Sequence, residues 1–128
     1  RRTRLMPGAE EVLACVRQAG IKTALLTRNA RASMQLILER FALCFDVARS
    51  REDGPIKPDP DGVLDACRQL GVDPERTCCV GDFLYDVVAA NDAGATSVLL
   101  DPDQKRSFAG QADYVITDLS QLPEILGL

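Results

Sequence analysis

The sequence Cys-Cys-Val-Gly-Asp-Phe-Leu-Tyr-Asp occupies residues 78–86 and combines a short apolar run with two acids. Its first three residues are typical of a buried strand, and the glycine predicts a tight turn after it. Asp82 and Asp86 follow four residues apart, and residues 87–93 have a helical pattern. If the helix begins near Asp82, both carboxylates lie on one face and repel each other. A bound cation would remove this repulsion. The surrounding segment, residues 77–104, contains five acids and no Lys or Arg.

The composition predicts one ordinary globular domain. A chain of 128 residues can bury about two-thirds of its unfolded surface in a single core. The net charge is −4, so no basic patch indicates a nucleic acid or an anionic membrane as partner. Because there is no histidine, a His-ligated zinc site and Ser-His or Cys-His nucleophile pairs are excluded. The expected partner is a small molecule, and nothing in the sequence predicts the oligomeric state.

The five cysteines show no CxxC spacing and stand mostly among apolar neighbours. This pattern is typical of buried free thiols in a reducing compartment. No apolar run approaches the roughly 18 residues of a membrane span, and no signal peptide is recognisable before the first helix. The expected location is therefore cytoplasmic.

Helical and strand patterns alternate along the chain. Asn29 and Ser120 are predicted to cap the second and the last helix, and Gly71 and Gly94 to end the third and fourth. Short polar or Gly/Pro-rich junctions between the elements indicate right-handed βαβ units. The predicted fold class is α/β, a doubly wound, mostly parallel sheet of Rossmann-like type. The predicted helices are residues 7–20, 29–41, 61–70, 86–93 and 120–126, and the strands are residues 21–26, 45–48, 77–80, 96–100 and 114–116.

Chemically interesting side chains follow three of the predicted strands. Thr27 comes after the first strand, Lys57 lies in the loop after the second, and Asp82 and Asp86 follow the third. Ligands of such sheets bind at the carboxyl ends of the strands, so these groups should converge. A hydroxyl and an ammonium can hold phosphate oxygens while carboxylates hold Mg²⁺. The predicted site therefore binds a phosphate and a magnesium ion.

Six short motifs, taken in order, resemble the haloacid-dehalogenase-like hydrolase superfamily and its phosphoglycolate-phosphatase-like branch. The resemblance covers nearly the whole chain. The motifs are Pro-Gly-Ala at 7–9, Ala-Leu-Leu-Thr-Arg-Asn at 24–29, Lys-Pro-Asp-Pro at 57–60, Val-Gly-Asp at 80–82 with Asp86, residues 90–94, and Ala-Asp-Tyr-Val-Ile at 112–116.

The resemblance implies a role for each site residue. Thr27 would bind the transferring phosphate with the backbone amide of Arg28, and Asn29 would belong to the same substrate-binding segment. Lys57 would stabilise charge on the nucleophile and the phosphate. Asp82 would be a Mg²⁺ ligand, and Asp86 would position the metal, directly or through water. The implied activity is Mg²⁺-dependent hydrolysis of a small phosphate monoester through an aspartyl-phosphate.

One motif of the family is not found. Its nucleophile lies in a strand ending Asp-x-Asp, yet the first aspartate here is Asp46, after Thr27. We therefore expect residues 1–128 to be the C-terminal part of a hydrolase core domain, with the nucleophile strand and any cap upstream. Alone, this chain should not turn over an aryl phosphate. The 29 residues between Thr27 and Lys57 leave no room for a cap inserted there, and the substrate's identity is not predicted.

The absent strand has a consequence for the sheet. In the family it lies between the strands that begin here near Ile21 and near Cys78. We expect these two strands to stand roughly 9–10 Å apart, twice the usual spacing. Another segment or another chain would fill the space. Direct hydrogen bonding between the two strands would refute this expectation.

Three other functions fit parts of the sequence. A non-catalytic binding or regulatory module on the same scaffold is the main alternative, because the nucleophile is absent. A phosphoacceptor receiver domain is disfavoured because Thr27 and Lys57 precede the acid pair. A dinucleotide-binding domain is weaker still, since no G-x-G-x-x-G follows a strand.

Overall fold

The computed structural model describes residues 8–128, in which five strands and five α-helices alternate except between the last two strands, which a 3-10 turn separates. The helices are α1 (Ala9–Gln18), α2 (Arg31–Arg40), α3 (Asp61–Leu70), α4 (Leu84–Ala93) and α5 (Leu122–Ile125). The strands are β1 (Ala24–Leu26), β2 (Val47–Arg49), β3 (Cys78–Gly81), β4 (Thr96–Leu100) and β5 (Tyr114–Ile116). The predicted α/β alternation is confirmed. The predicted start of the first helix at Pro7 lies outside the described residues.

The helix ends follow from local sequence, with two corrections. Gly71 and Gly94 have φ angles of 70° and 81° and end α3 and α4 as predicted, because glycine tolerates this left-handed conformation. The prediction that Asn29 caps α2 is wrong. The N-cap residue is Ala30, and the first helical amide, that of Arg31, donates instead to the Glu52 carboxylate at 2.6 Å.

The predicted cap of the closing helix is also wrong. The side chain of Asp118, not of Ser120, opens this turn by accepting a hydrogen bond from the Ser120 amide at 2.8 Å. A 3-10 turn at Leu119–Gln121 then leads into α5. An aspartate fits here because its carboxylate satisfies an amide at the start of the turn.

All strand pairs in the described part of the chain are parallel, and they form two groups. β1 pairs with β2, while β3, β4 and β5 form a three-stranded sheet in that order. Strand β1 is shorter than predicted, because the Thr23 amide donates to the Asp46 side chain at 2.8 Å rather than joining the ladder.

A cavity of about 1110 Å³ is lined by residues of both β1 and β3. Within residues 8–128 these two strands belong to different sheets and are not hydrogen-bonded to each other. Direct pairing, which would have refuted the expected gap, is therefore not found. Much of the lining is apolar, including Val12 of α1 and Leu100 of β4. That a further strand occupies this space stays a prediction.

The helices cover the strands through two hydrophobic clusters. One joins α1 and α5 to β4 and β5 and includes Val16, Val98 and Ile116. The other joins α3 to α4 and includes Val63 and Ala90, which is fully buried. These clusters fix the helices beside the strands and so position the loops at the carboxyl ends.

Candidate active site

Lys57 connects three loops at the carboxyl edge of the strands. Its ammonium donates to the backbone carbonyl of Leu26, at the end of β1, at 3.1 Å, and to Oδ1 of Asp86, in α4, at 2.6 Å. The side chains of Lys57 and Asp86 are only 18% and 11% exposed. The structure thus places the predicted lysine between the loop that follows β1 and the acidic turn that follows β3.

Asp86 also holds the first turn of α4. Its Oδ2 accepts hydrogen bonds from the amides of Asp82 and Phe83, each at 3.1 Å. Helix α4 begins at Leu84, not near Asp82, so the two acids are not neighbours on one helical face. The repulsion expected from the sequence is offset by the ammonium of Lys57.

Gly81 makes this arrangement possible. A methyl group built on Gly81 would overlap Cβ, Cγ and Oδ2 of Asp86. The absence of a side chain at the end of β3 therefore allows the Asp86 carboxylate to lie against the strand.

Asp82 is exposed and lines the same cavity as Lys57 and Asp86. Its carboxylate makes no hydrogen bond to any of residues 8–128, so its oxygens are available to a ligand. Those residues contain no group of three or more His, Cys, Asp or Glu side chains that could hold a metal ion. Mg²⁺ is commonly bound by one or two carboxylates, with phosphate oxygens and waters as further ligands. The Asp82 carboxylate is free for such a set of ligands, whereas both oxygens of Asp86 already accept hydrogen bonds.

The residues that follow β1 differ in their surroundings. The Thr27 hydroxyl accepts a hydrogen bond from the Asn29 amide at 3.0 Å, and Thr27 lines a small crevice together with Lys57. The Arg28 guanidinium lies over the Tyr85 ring at 4.4 Å. The side chain of Asn29 makes no hydrogen bond within the described residues. Thr27 and Lys57 are therefore brought together, while the roles assigned to Thr27, Arg28 and Asn29 stay predictions.

Arg49, which the sequence did not single out, anchors the loop that carries Lys57. Its buried guanidinium donates to the carboxylates of Asp61 and Asp65, each at 2.9 Å, and to the carbonyl of Pro55 at 3.2 Å. These contacts join the end of β2 to the middle of the loop and to the start of α3. Asp61 and Asp65, four residues apart at the start of α3, are the sequence feature that points to a buried cation. The sequence does not identify Arg49 as that cation.

The start of the same loop is held by Asp53. Its carboxylate accepts hydrogen bonds from the Ser50 amide at 2.6 Å and the Ser50 hydroxyl at 2.9 Å, and it pairs with Arg31 at 2.5 Å. These hydrogen bonds lower the pKa of Asp53, and the one from the Ser50 amide makes the largest contribution. The pKa of Glu52 is lowered in the same way, mainly by the Arg31 amide and then by the Ser50 hydroxyl.

The thiols near the site are not activated. All five cysteines are free, as predicted, but of the five only Cys67 is buried; Cys44 is exposed, and Cys15, Cys78 and Cys79 are half-buried. Burial raises the pKa of Cys79 to about 12, with smaller contributions from neighbouring thiols. The pKa of Cys78 is raised as well, by burial and then by Asp113. A thiolate nucleophile at the end of β3 is therefore not supported.

Comparison with known proteins identifies the class. A family model described as haloacid dehalogenase-like hydrolase matches residues 1–94. The chain belongs to this family, and the resemblance inferred from its motifs is confirmed.

Particular relatives agree with this assignment. The chain is 33% identical, over 95% of its length, to a haloacid dehalogenase-like hydrolase domain-containing protein of Arabidopsis thaliana, of which it covers 53%. It is 36% identical, over 73% of its length, to a phosphoglycolate phosphatase of Nitrosospira multiformis, of which it covers 42%. Among solved structures, a HAD phosphatase from Thermococcus onnurineus superposes with a TM-score of 0.90 at 34% identity. That match covers 97% of this chain and 59% of the other.

The chain thus spans about half the length of the relatives that it matches. Separately, none of the helices within residues 8–128 is long and apolar enough to cross a membrane.

Proposed function

We propose that the complete gene product is a Mg²⁺-dependent phosphatase that hydrolyses a small phosphate monoester, as the phosphoglycolate-phosphatase-like resemblance implies. The observation that carries this proposal is the position of Lys57, whose ammonium joins the end of β1 to Asp86 of α4. A cation fixed at the point where three strand ends meet is suited to binding a phosphate group.

The residues of this chain would divide the work of binding. The Thr27 hydroxyl and the amide of Arg28 would hold oxygens of the phosphate, and Asn29 would belong to the same segment. Lys57 would balance the negative charge that collects in the transition state. Asp82 would be a direct ligand of Mg²⁺. Asp86, both of whose oxygens already accept hydrogen bonds, would act through water or after a shift of Lys57.

When bound, Mg²⁺ would neutralise charge on the phosphate oxygens. The nucleophile would be an aspartate on a strand occupying the cavity between β1 and β3. Its carboxylate would attack phosphorus, and the ester oxygen would leave as the alcohol after taking a proton from the second aspartate of the Asp-x-Asp motif. Water would then attack the phosphorus of the aspartyl-phosphate, releasing inorganic phosphate and restoring the carboxylate. The second aspartate would take a proton back from the attacking water. This domain organisation, with the nucleophile strand and any cap outside residues 1–128, is part of the proposal.

Free thiols support a reducing location, so a cytoplasmic enzyme acting on a small molecule completes the proposal.

A non-catalytic module on the same scaffold is the second candidate. One observation favours it: both oxygens of Asp86 are already engaged, by Lys57 and by two backbone amides. Such a module would bind a phosphate compound at the same edge without hydrolysing it.

Hydrolysis of p-nitrophenyl phosphate by the complete gene product separates the two. We expect Mg²⁺-dependent turnover that falls about 10²–10³-fold in Lys57→Gln, the usual effect of removing one stabilising donor. Lys22→Gln is the matched control, because Lys22 also donates to a backbone carbonyl, that of Leu70 at 2.7 Å, but precedes β1. Equal activity of both variants, or no turnover by the complete protein, would contradict the proposal that the protein is a phosphatase that uses Lys57.

Residues 1–128 alone should give no turnover. Activity of this chain that disappears in Asp82→Ala would show that the nucleophile lies within it and that the proposed domain organisation is wrong.

A further inference from the structure

A row of cationic and aromatic side chains borders the candidate active site. The Arg28 guanidinium lies 4.4 Å from the centroid of the Tyr85 ring, and that ring packs at 4.9 Å against Phe83. On the other side, Arg106 lies 5.2 Å from the centroid of Phe83, which also packs against Phe108 at 6.2 Å. We call these five side chains the rim.

The rim is directly connected to the phosphate-binding residues. Arg28 follows Thr27 in sequence, and Tyr85 precedes Asp86. The Lys57 ammonium is 5.7 Å and the Arg28 guanidinium 4.4 Å from the same Tyr85 ring, so these two charges are at most about 10 Å apart. A molecule with two anionic groups two or three bonds apart, with a hydrogen bond of about 3 Å at each end, can span that distance.

The arginines of the rim are available to a ligand. Arg28 and Arg106 are exposed, and neither guanidinium pairs with a carboxylate of residues 8–128. By contrast, Arg31 and Arg49 are engaged by aspartates. An aromatic ring holds a guanidinium by its face and leaves the N–H donors at its edge free to bind an anion.

The loop that carries Arg106 is fixed before any ligand binds. Asp101, only 4% exposed, accepts hydrogen bonds from the amides of Lys105 at 3.2 Å and Arg106 at 3.1 Å. The aspartate at the end of β4 is thus used to shape this loop. A preformed cationic loop loses less entropy when it binds an anion.

We propose that Arg28 is a specificity-determining residue that binds a second anionic group of the substrate, with Arg106 adding to the attraction from the outer side of the rim. The preferred substrates are then phosphate compounds that carry another acid, a carboxylate or a second phosphoryl group, close to the transferring phosphate. This inference rests on the proposed phosphatase function, because it assigns the part of the substrate that does not react.

Substrates matched in size test the inference in the complete gene product. 2-Phosphoglycolate carries a carboxylate, pyrophosphate carries a second phosphoryl group, and 2-hydroxyethyl phosphate carries no second charge. We expect Arg28→Gln to lower kcat/KM about 10–100-fold for whichever substrate with a second anionic group is preferred, the loss typical of one charged hydrogen bond, chiefly through KM. For 2-hydroxyethyl phosphate, kcat/KM should change less than about 3-fold. The two anionic substrates distinguish a carboxylate site from a phosphoryl site.

Arg40→Gln is the matched control, because the Arg40 guanidinium also lies over a ring, that of Phe41 at 5.4 Å, at the end of α2. An equal loss on all substrates in Arg28→Gln, or no loss on any, would overturn the inference. So would a preference for nucleoside monophosphates over both small anions, which would mean that the rim stacks a base.

Binding without turnover keeps this result separate from the phosphatase proposal. By isothermal titration calorimetry, phosphonoacetate should bind the wild-type protein at least about 10-fold more tightly than ethylphosphonate, and Arg28→Gln should remove that difference. Equal affinities in the wild type would overturn the inference even if the enzyme is an active phosphatase. A clear preference would support it even if no hydrolysis is found.

Discussion

Replacing Gly81 by alanine should disrupt the candidate site without replacing any of its polar side chains. The added methyl group would overlap the side chain of Asp86, which must then turn away or push α4 from β3. Turning away breaks the ion pair with Lys57 and the hydrogen bonds from the amides of Asp82 and Phe83.

The size of the effect follows from what is lost. A hydrogen bond to a charged group contributes about 1.5–3 kcal/mol, and the two amides belong to exposed residues that water can reach, so their share lies at or below the low end. The Lys57–Asp86 pair is mostly buried and contributes the larger part. We therefore expect Gly81→Ala to lower the free energy of unfolding by about 2–4 kcal/mol.

Gly110→Ala is the matched control. No atom lies within 4 Å of a methyl group built on Gly110, so this variant should change stability by no more than about 0.5 kcal/mol. Urea unfolding followed by circular dichroism measures both variants under the same conditions. If Gly81→Ala costs no more than Gly110→Ala, the packing of Asp86 against β3 is not what holds the acid in place.

Three further predictions concern the surroundings of the site. Arg49→Met should destabilise the protein by about 3 kcal/mol in urea unfolding, because it removes the buried cation that joins Asp61 to Asp65, although Asp65 keeps its pairing with Arg68. Arg51→Met, at an exposed residue of the same loop, should change stability by about 0.5 kcal/mol at most, and equal losses would contradict the anchoring role. Burial raises the pKa of Cys79 to about 12, so this thiol should react with iodoacetamide at pH 8 at least about 100-fold more slowly than the exposed Cys44. Mass spectrometry of tryptic peptides measures both rates, and similar rates would show that Cys79 is accessible. Hydrogen bonds lower the pKa of Asp53 below its usual 3.8, so its stabilising effect should be complete above about pH 5 and be lost as the pH falls through the lowered value. Asp53→Asn should therefore weaken the dependence of the urea midpoint on pH between about pH 5 and 3. An unchanged dependence would refute this.

The order of elements could be predicted because local signals agree with the final packing. Gly71 and Gly94 end helices in the left-handed conformation that the sequence suggests, and β4 and β5 have the predicted bounds. Helix caps were less predictable. Asn29 was a reasonable cap by residue type, yet Glu52, distant in sequence, satisfies the first amide of α2. A cap supplied by another loop leaves no local signal.

The same distinction holds at the site. The convergence of Lys57 with the acidic turn followed from the rule that parallel strands share one carboxyl edge. The rim could not be predicted from the sequence, because two helices and two strands, α2 to β3, separate Arg28 from Tyr85 along the chain. Residue types at strand ends thus predict where a site lies, while the contacts that orient its side chains depend on packing between distant segments.

We propose above all that the loops after β1, β2 and β3 form one site for a divalent cation and a phosphate. A Mn²⁺ titration of the complete protein, followed by amide NMR, tests it directly, since the paramagnetic ion broadens nearby signals. The amides of residues 26–28, 56–57 and 81–86 should broaden together at the lowest Mn²⁺ concentrations, and Asp82→Asn should raise the concentration required by about 10-fold or more. Broadening centred instead on residues 101–103, the other acidic turn of the chain, or unaffected by Asp82→Asn, would contradict the account.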